Sequence, residues 1–183
     1  MIAEAPSAWV VRWTADIASS TAVLDVACGA GRHSRLLAAR GCNVTAVDRD
    51  ASVAHALAGE PNVDFFQADL ERAGWPLPGR HFQVVIVTNY LHRPLFSALK
   101  TALAPSGLLI YETFAIGNAA FGRPSNPNYL LRPRELLDVF GSDMRVLAFE
   151  DGFVNNPKPA MVQRIAVRNA APDVTLAAER CRL

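Results

Sequence analysis

Lysine is nearly missing from this chain. Only Lys100 and Lys158 occur among 18 basic residues, so arginine carries the positive charge. With 17 acidic residues the formal net charge is +1, which removes any bulk electrostatic argument for nucleic acid or an anionic membrane as partner. Cysteine is scarce and odd in number. Cys28, Cys42 and Cys181 are too scattered for zinc ligation or a C-x-x-C redox pair, and they fit reduced thiols in a cytoplasmic protein without a metal. No uncharged apolar run approaches the roughly 18 residues that a membrane-spanning helix needs. The opening Met-Ile-Ala-Glu-Ala-Pro has neither a basic stretch nor a long apolar one, so no secretory signal is expected.

What is present is apolar and ordered in register. Half of the 183 residues are hydrophobic, enough for one domain with a sizeable core. Strand and helix signals alternate with short loops, the pattern of an open α/β sheet. A first helix is expected from Ser7 to about Ala18, with Ser7 as its cap and Trp9 and Trp13 on one face. Strands are expected at 22–27, 43–47, 63–67, 82–88 and 108–114. Helices are expected at 32–40, from Asp50 to 57, from Pro94 to 103 and from Pro133 to 140. The last two strand signals, 145–150 and 161–168, are joined by too short a connector for a crossover helix, so they pair as an antiparallel hairpin. The expected whole is a single domain with its core at about 20–168, an amino-terminal helix at 7–18 and a tail at 169–183. Its architecture is a Rossmann-like, doubly wound, seven-stranded sheet, mostly parallel, with an antiparallel C-terminal hairpin.

The richest segment is Val23-Leu24-Asp25-Val26-Ala27-Cys28-Gly29-Ala30-Gly31-Arg32-His33-Ser34. An apolar strand runs into a glycine turn and then a helix whose free amides face whatever the turn holds. Gly29 and Gly31 suit a sharp turn against which a ligand lies. Asp25 inside the strand is costly unless something polar satisfies it. The segment resembles motif I of the class I S-adenosylmethionine-dependent methyltransferases. The run from Leu24 to Ser34, followed by Leu36 to Gly41 and Val44 to Asp48, is similar to the bacterial tellurite-resistance-type small-molecule methyltransferases. So are Glu112-Thr113-Phe114 and Leu130-Leu131-Arg132-Pro133-Arg134-Glu135-Leu136.

The resemblance implies S-adenosylmethionine as cofactor and a methyl transfer to a small molecule by in-line displacement. In a doubly wound sheet the ligand binds at the carboxyl ends of the strands, so the candidate cofactor residues fall in one row. Asp25, Ala27, Cys28, Gly29, Gly31 and Arg32 belong to the first turn. Asp48 ends the second strand, where its two oxygens suit a ribose diol, with Arg49 beside it. Asp69 and Leu70 follow the third strand, at the position similar enzymes place near adenine, and Asn89 follows the fourth. Each has a plainer reading: a common turn, a helix cap, a turn aspartate. A dinucleotide-dependent oxidoreductase is the rival ligand class. The third glycine of G-x-G-x-x-G is replaced by Ser34, which counts against it. A non-catalytic cofactor-binding domain is the second alternative.

On the acceptor side, His92 is the candidate base or substrate contact, with a helix-start histidine as its plain reading. Tyr90 is either a catalytic-pocket wall or core. Glu112, Arg123 and Tyr129 are candidate substrate contacts, Glu112 having the alternative of meeting an arginine. No N/D-P-P-Y/F motif is present, which disfavours transfer to an amide or nucleobase amine. The long connection 115–132 reads as an ordered lid over an anionic or planar acceptor, or as disorder. Cys28, with no paired base, reads as a small turn residue. The expected partner is a small molecule, with no nucleic acid or membrane, in a monomer or homodimer.

Overall fold

Side chains alternating across a pleated sheet decide this architecture. Val23, Val84, Ile86, Leu108 and Ile110 pack on one face with Trp9, Val10 and Leu37. Leu24, Val26, Val85, Val87, Leu109 and Tyr111 pack on the other with Leu99, Leu136 and Phe140. Both faces are therefore covered by helices, and fully burying each Leu or Phe among them contributes about 2 kcal/mol. A computed structural model describes residues 5–170. Cys181 and all but the first two residues of the expected tail lie outside the described residues.

The strands are β1 (Ala22–Val26), β2 (Asn43–Asp48), β3 (Val63–Gln67), β4 (Phe82–Thr88), β5 (Leu103–Phe114), β6 (Arg145–Val154) and β7 (Ala160–Arg168). The helices are α1 (Ala8–Trp13), α2 (Arg32–Ala39), α3 (Ser52–Leu57), α4 (Phe96–Thr101) and α5 (Glu135–Phe140). The sheet order is β3-β2-β1-β4-β5-β7-β6. β1 pairs in parallel with both β2 and β4, while β7 runs antiparallel between β5 and β6. The strand order reverses between β1 and β4, so the crevice for a ligand opens at their carboxyl ends. The seven-stranded sheet and its C-terminal hairpin are as the sequence indicated.

Boundaries differ where a tertiary partner intervenes. α1 stops at Trp13 rather than near Ala18, because Arg40 Nη1 from the end of α2 takes the Thr14 carbonyl at 2.7 Å and its hydroxyl at 2.8 Å. The expected helix from Pro94 to 103 is a 3-10 turn, Arg93–Leu95, followed by the shorter α4. Leu103 already pairs with Phe82 across a bulge that absorbs Pro105, Ser106 and Gly107, so β5 begins five residues early. α5 starts at Glu135, after Arg134 at φ +61°, not at Pro133. β6 runs on to Val154 because β7 offers it a partner along its whole length.

Candidate active site

The first turn is built by backbone conformations that side chains rarely adopt. Ala27 sits at φ +53°, Gly29 at +54° and Gly31 at +75°, and Asn89, at the tip of β4, at +54°. Non-glycine residues held there are strained, and such strain collects at ligand sites. A Cβ on Gly31 would lie 2.5 Å from Leu57 Cδ2, so close packing of α3 as well as conformation demands glycine. A Cβ on Gly29 would meet nothing within 4 Å: the space above that residue is open.

Asp48 ties this turn to β2. Its Oδ2 accepts the Gly29 amide at 2.8 Å and its Oδ1 the Asp50 amide at 3.0 Å. Each carboxylate oxygen can accept a further hydrogen bond and Asp48 lines the crevice, so it braces the turn and still has acceptors for a diol. Asp25 lies beneath, 1% exposed, with Ser34 Oγ donating to Oδ2 at 2.6 Å and no protein partner for Oδ1. Burial pushes its carboxyl up to about 6 despite the Ser34 hydrogen bonds. Ser34, the residue in place of a third glycine, is thus the partner that makes Asp25 tolerable. Cys28 is buried, its amide bonded to Val47 O, and burial pushes its thiol far up, so it stays an inert turn residue.

Three cavities run along the crevice. The first, about 190 Å³, is lined by Ala27, Asp48, Arg49, Asp69, Leu70 and Tyr90, among others, and its remaining charge is Glu71. The second, about 240 Å³, lies between the tips of β4 and β5, under Pro124 and Tyr129 of the long connection. Tyr90 and Glu71 line both. The third, about 280 Å³, lies beyond Asn89 and Phe114, which it shares with the second. Its other walls are the chain before α1, Arg32, Glu112 and Arg164, and the turn of the β6–β7 hairpin with Lys158.

The expected site residues divide between these places. Ala27, Asp48, Arg49, Asp69 and Leu70 come together at the first cavity with Tyr90; Arg32, Asn89 and Glu112 at the third; Tyr129 at the second. Asp69 also caps its own turn, Oδ1 accepting the amides of Glu71 and Arg72. His92 is not among the residues lining the three cavities. It precedes the 3-10 turn, and its carbonyl accepts the Leu95 amide at 3.0 Å. Its place at the start of that turn is the one its plain reading as a helix-start histidine gives it. Arg123 is exposed and lines none of the three. The Tyr90 hydroxyl is pushed up to about 12 by burial and by Glu71 and Asp69, so it is a protonated wall rather than a base. Glu112 does meet an arginine: Arg164 Nε lies 2.6 Å from Oε2, while Ser7 Oγ donates to Oε1 at 2.8 Å.

Two functional elements escaped the sequence reading. His33 is buried in α2 and joins the amino-terminal segment to β4. Its Nε2 accepts the Ser7 amide at 3.0 Å, leaving Nδ1 to donate to Thr88 Oγ1 at 3.4 Å. Burial lowers its ring to about 3, which keeps it neutral. Arg93 fastens the long connection, donating to Asn128 O and Leu130 O at 2.9 Å each and pairing with Glu135 at 2.6 Å. Asn118 ties the same connection to Pro124 O and to the Met161 amide. The segment is therefore an ordered wall of the second cavity. Only the G-R-H-S run signalled His33, and nothing local signalled Arg93.

Residues 23–107 match the family described as methyltransferase domain. The ubiquinone biosynthesis O-methyltransferase of Azotobacter vinelandii (strain DJ / ATCC BAA-1303) is 34% identical over 100 residues, covering 50% of this chain and 43% of that protein. The trans-aconitate 2-methyltransferase of Paracidovorax citrulli (strain AAC00-1) is 33% identical over 105 residues, covering 52% and 40%. The chain thus spans about two fifths of the length of the curated relatives it matches. In fold it resembles TehB from Haemophilus influenzae, with a TM-score of 0.76 at 17% identity, covering 90% of this chain and 63% of that one. These likenesses bear out the resemblance to class I S-adenosylmethionine-dependent methyltransferases. The first turn also fits that donor: open space over Gly29, spare acceptors on Asp48 and an acid-lined cavity suit a hydroxyl-bearing sulfonium cation.

Proposed function

We propose that the chain is an S-adenosylmethionine-dependent methyltransferase acting on a small molecule. The observation that carries this reading is Asp48, which braces Gly29 from the end of β2 and lines the first cavity. Asp48 would hold the ribose diol, Asp69 and Leu70 would flank the base, and the amides of the Gly29–Gly31 turn and Asn89 would meet the amino-acid end. When bound, the donor supplies an activated methyl group on a sulfonium. The residues of this chain then orient the acceptor in line and exclude water, which can supply most of the rate enhancement. Tyr90 and the wall carrying Tyr129 would close over the reacting atoms.

The names of the two curated relatives support small-molecule transfer. One continuous seven-stranded sheet running through the described residues supports the single-domain reading. Among the described residues no helix is long and apolar enough to cross a membrane. We place the protein in the cytoplasm, acting without nucleic acid as a monomer or homodimer; the reduced Cys28 and Cys42 support that setting. Calorimetric titration with S-adenosylmethionine and S-adenosylhomocysteine, with NADH as control, tests the donor. Binding of the first two alone is expected, and binding of NADH alone would overturn the reading in favour of an oxidoreductase.

A further inference from the structure

The third cavity is built differently from the first. Its single carboxylate, Glu112, is already committed to Arg164 and to Ser7 Oγ, whereas Lys158 has no carboxylate partner among the described residues. Phe114, Val154 and Val162 supply an apolar wall. An ammonium-bearing acceptor finds no free carboxylate here. An alcohol acceptor finds no group to take its proton: His33 Nε2 is occupied by the Ser7 amide, Asp25 is sealed under the turn by Ser34, and Tyr90 keeps its own proton. A ligand that arrives as an anion needs neither.

We propose that this cavity takes a small organic acid with an apolar body, and that its carboxylate is the methyl acceptor. Lys158 Nζ supplies the charge that holds it, and Phe114 and Val162 cover its hydrocarbon. This rests on the methyltransferase reading above. The carboxylate oxygen attacks the methyl of a sulfonium donor. An O–C bond forms as the C–S bond breaks, the bonding pair leaves on sulfur as a neutral thioether, and no proton is transferred. The product is a methyl ester.

The test begins with binding, not turnover. Wild-type protein saturated with S-adenosylhomocysteine is titrated with benzoate, hexanoate and succinate, and with benzyl alcohol and benzylamine as uncharged and cationic controls. At least one acid is expected to bind in preference to both controls. Lys158→Glu is expected to weaken that acid by about tenfold or more while S-adenosylhomocysteine affinity holds. With S-adenosylmethionine present, mass spectrometry should find the methyl ester of the acid that binds, and its kcat/KM should be flat from about pH 6 to 8 because no base titrates. Preference for benzylamine, no binding of any acid, affinity indifferent to Lys158→Glu, or methylation elsewhere than on the carboxylate would each overturn the proposal alone. If S-adenosylhomocysteine itself fails to bind, the donor reading falls and takes the proposal with it.

Discussion

The two ends of the crevice solve opposite electrostatic problems. At the β2 end, Asp48, Asp69 and Glu71 surround the first cavity with Arg49 as the one cation. At the β7 end, Arg32, Lys158 and Arg164 surround the third, and Glu112 is the one acid. The acidic end is assembled from residues within a few positions of a strand terminus and held by backbone amides. The basic end is assembled from segments far apart in the chain and held by side chains meeting one another. A polar donor with hydroxyls and a cation suits the first, and an apolar anion suits the second. The difference teaches that the acidic end of this crevice is a property of local turns, while the basic end is a property of long-range assembly.

The sharpest way to break this contrast is Asp48→Ala. It removes the acceptor of the Gly29 amide and the proposed diol contact together, so affinity for S-adenosylmethionine should fall by about a hundredfold or more, equivalent to about 3 kcal/mol by calorimetry. Affinity unchanged within about twofold would remove Asp48 from the donor site. Gly31→Ala attacks the same turn through conformation. With φ at +75° and Leu57 Cδ2 in the way, it should lower folding stability by about 2 kcal/mol, read as a shifted denaturant midpoint.

At the other end, Arg164→Met leaves Glu112 with Ser7 alone, and a loss of about 1–2 kcal/mol in stability is expected. Donor affinity should hold, which thermal unfolding with and without S-adenosylhomocysteine would check. A matching loss of donor affinity would mean that the two ends are not separable.

The last effect appears only when pH is varied, and amounts to little within any one pH unit. Burial holds Asp25 near 6 in the fold, above the 3.8 of an exposed aspartate, so the folded chain binds that proton more tightly than the unfolded one. The stabilising contribution is full below pH 3.8 and is lost as pH rises through 6. Asp25→Asn removes this dependence. Wild type should therefore gain on the variant as pH falls from about 6 to 4, by about 1 kcal/mol per pH unit. Parallel stability curves for the two proteins would show that Asp25 does not change protonation in that window.

Much of the acidic end was legible beforehand. Gly29, Asp48 and Asp69 announce themselves because turn chemistry and strand ends are written in neighbouring residues. Ser34 was visible only as a missing glycine, its bond to Asp25 being a matter of one helical turn packed over one strand. The basic end was not legible. Glu112 showed as a strand-end acid, but Ser7 and Arg164 reach it from 105 and 52 positions away along the chain, Lys158 joins the same cavity from 46 positions away, and no local pattern encodes such a meeting. His92 looked functional because it follows β4, yet it lines none of the three cavities. Arg93, its neighbour, holds the 115–132 wall instead.

The sequence by itself determined the alternation of strands and helices, the parallel sheet with its antiparallel hairpin, and the glycine turn with its acids, because hydrophobic period and turn conformation are local quantities. Only the tertiary structure decided where helices stop, which charges are spent on one another and which remain to meet a ligand. Those outcomes depend on which distant side chain arrives first at a carbonyl or a carboxylate, and in a closely packed interior that is settled by the whole chain at once.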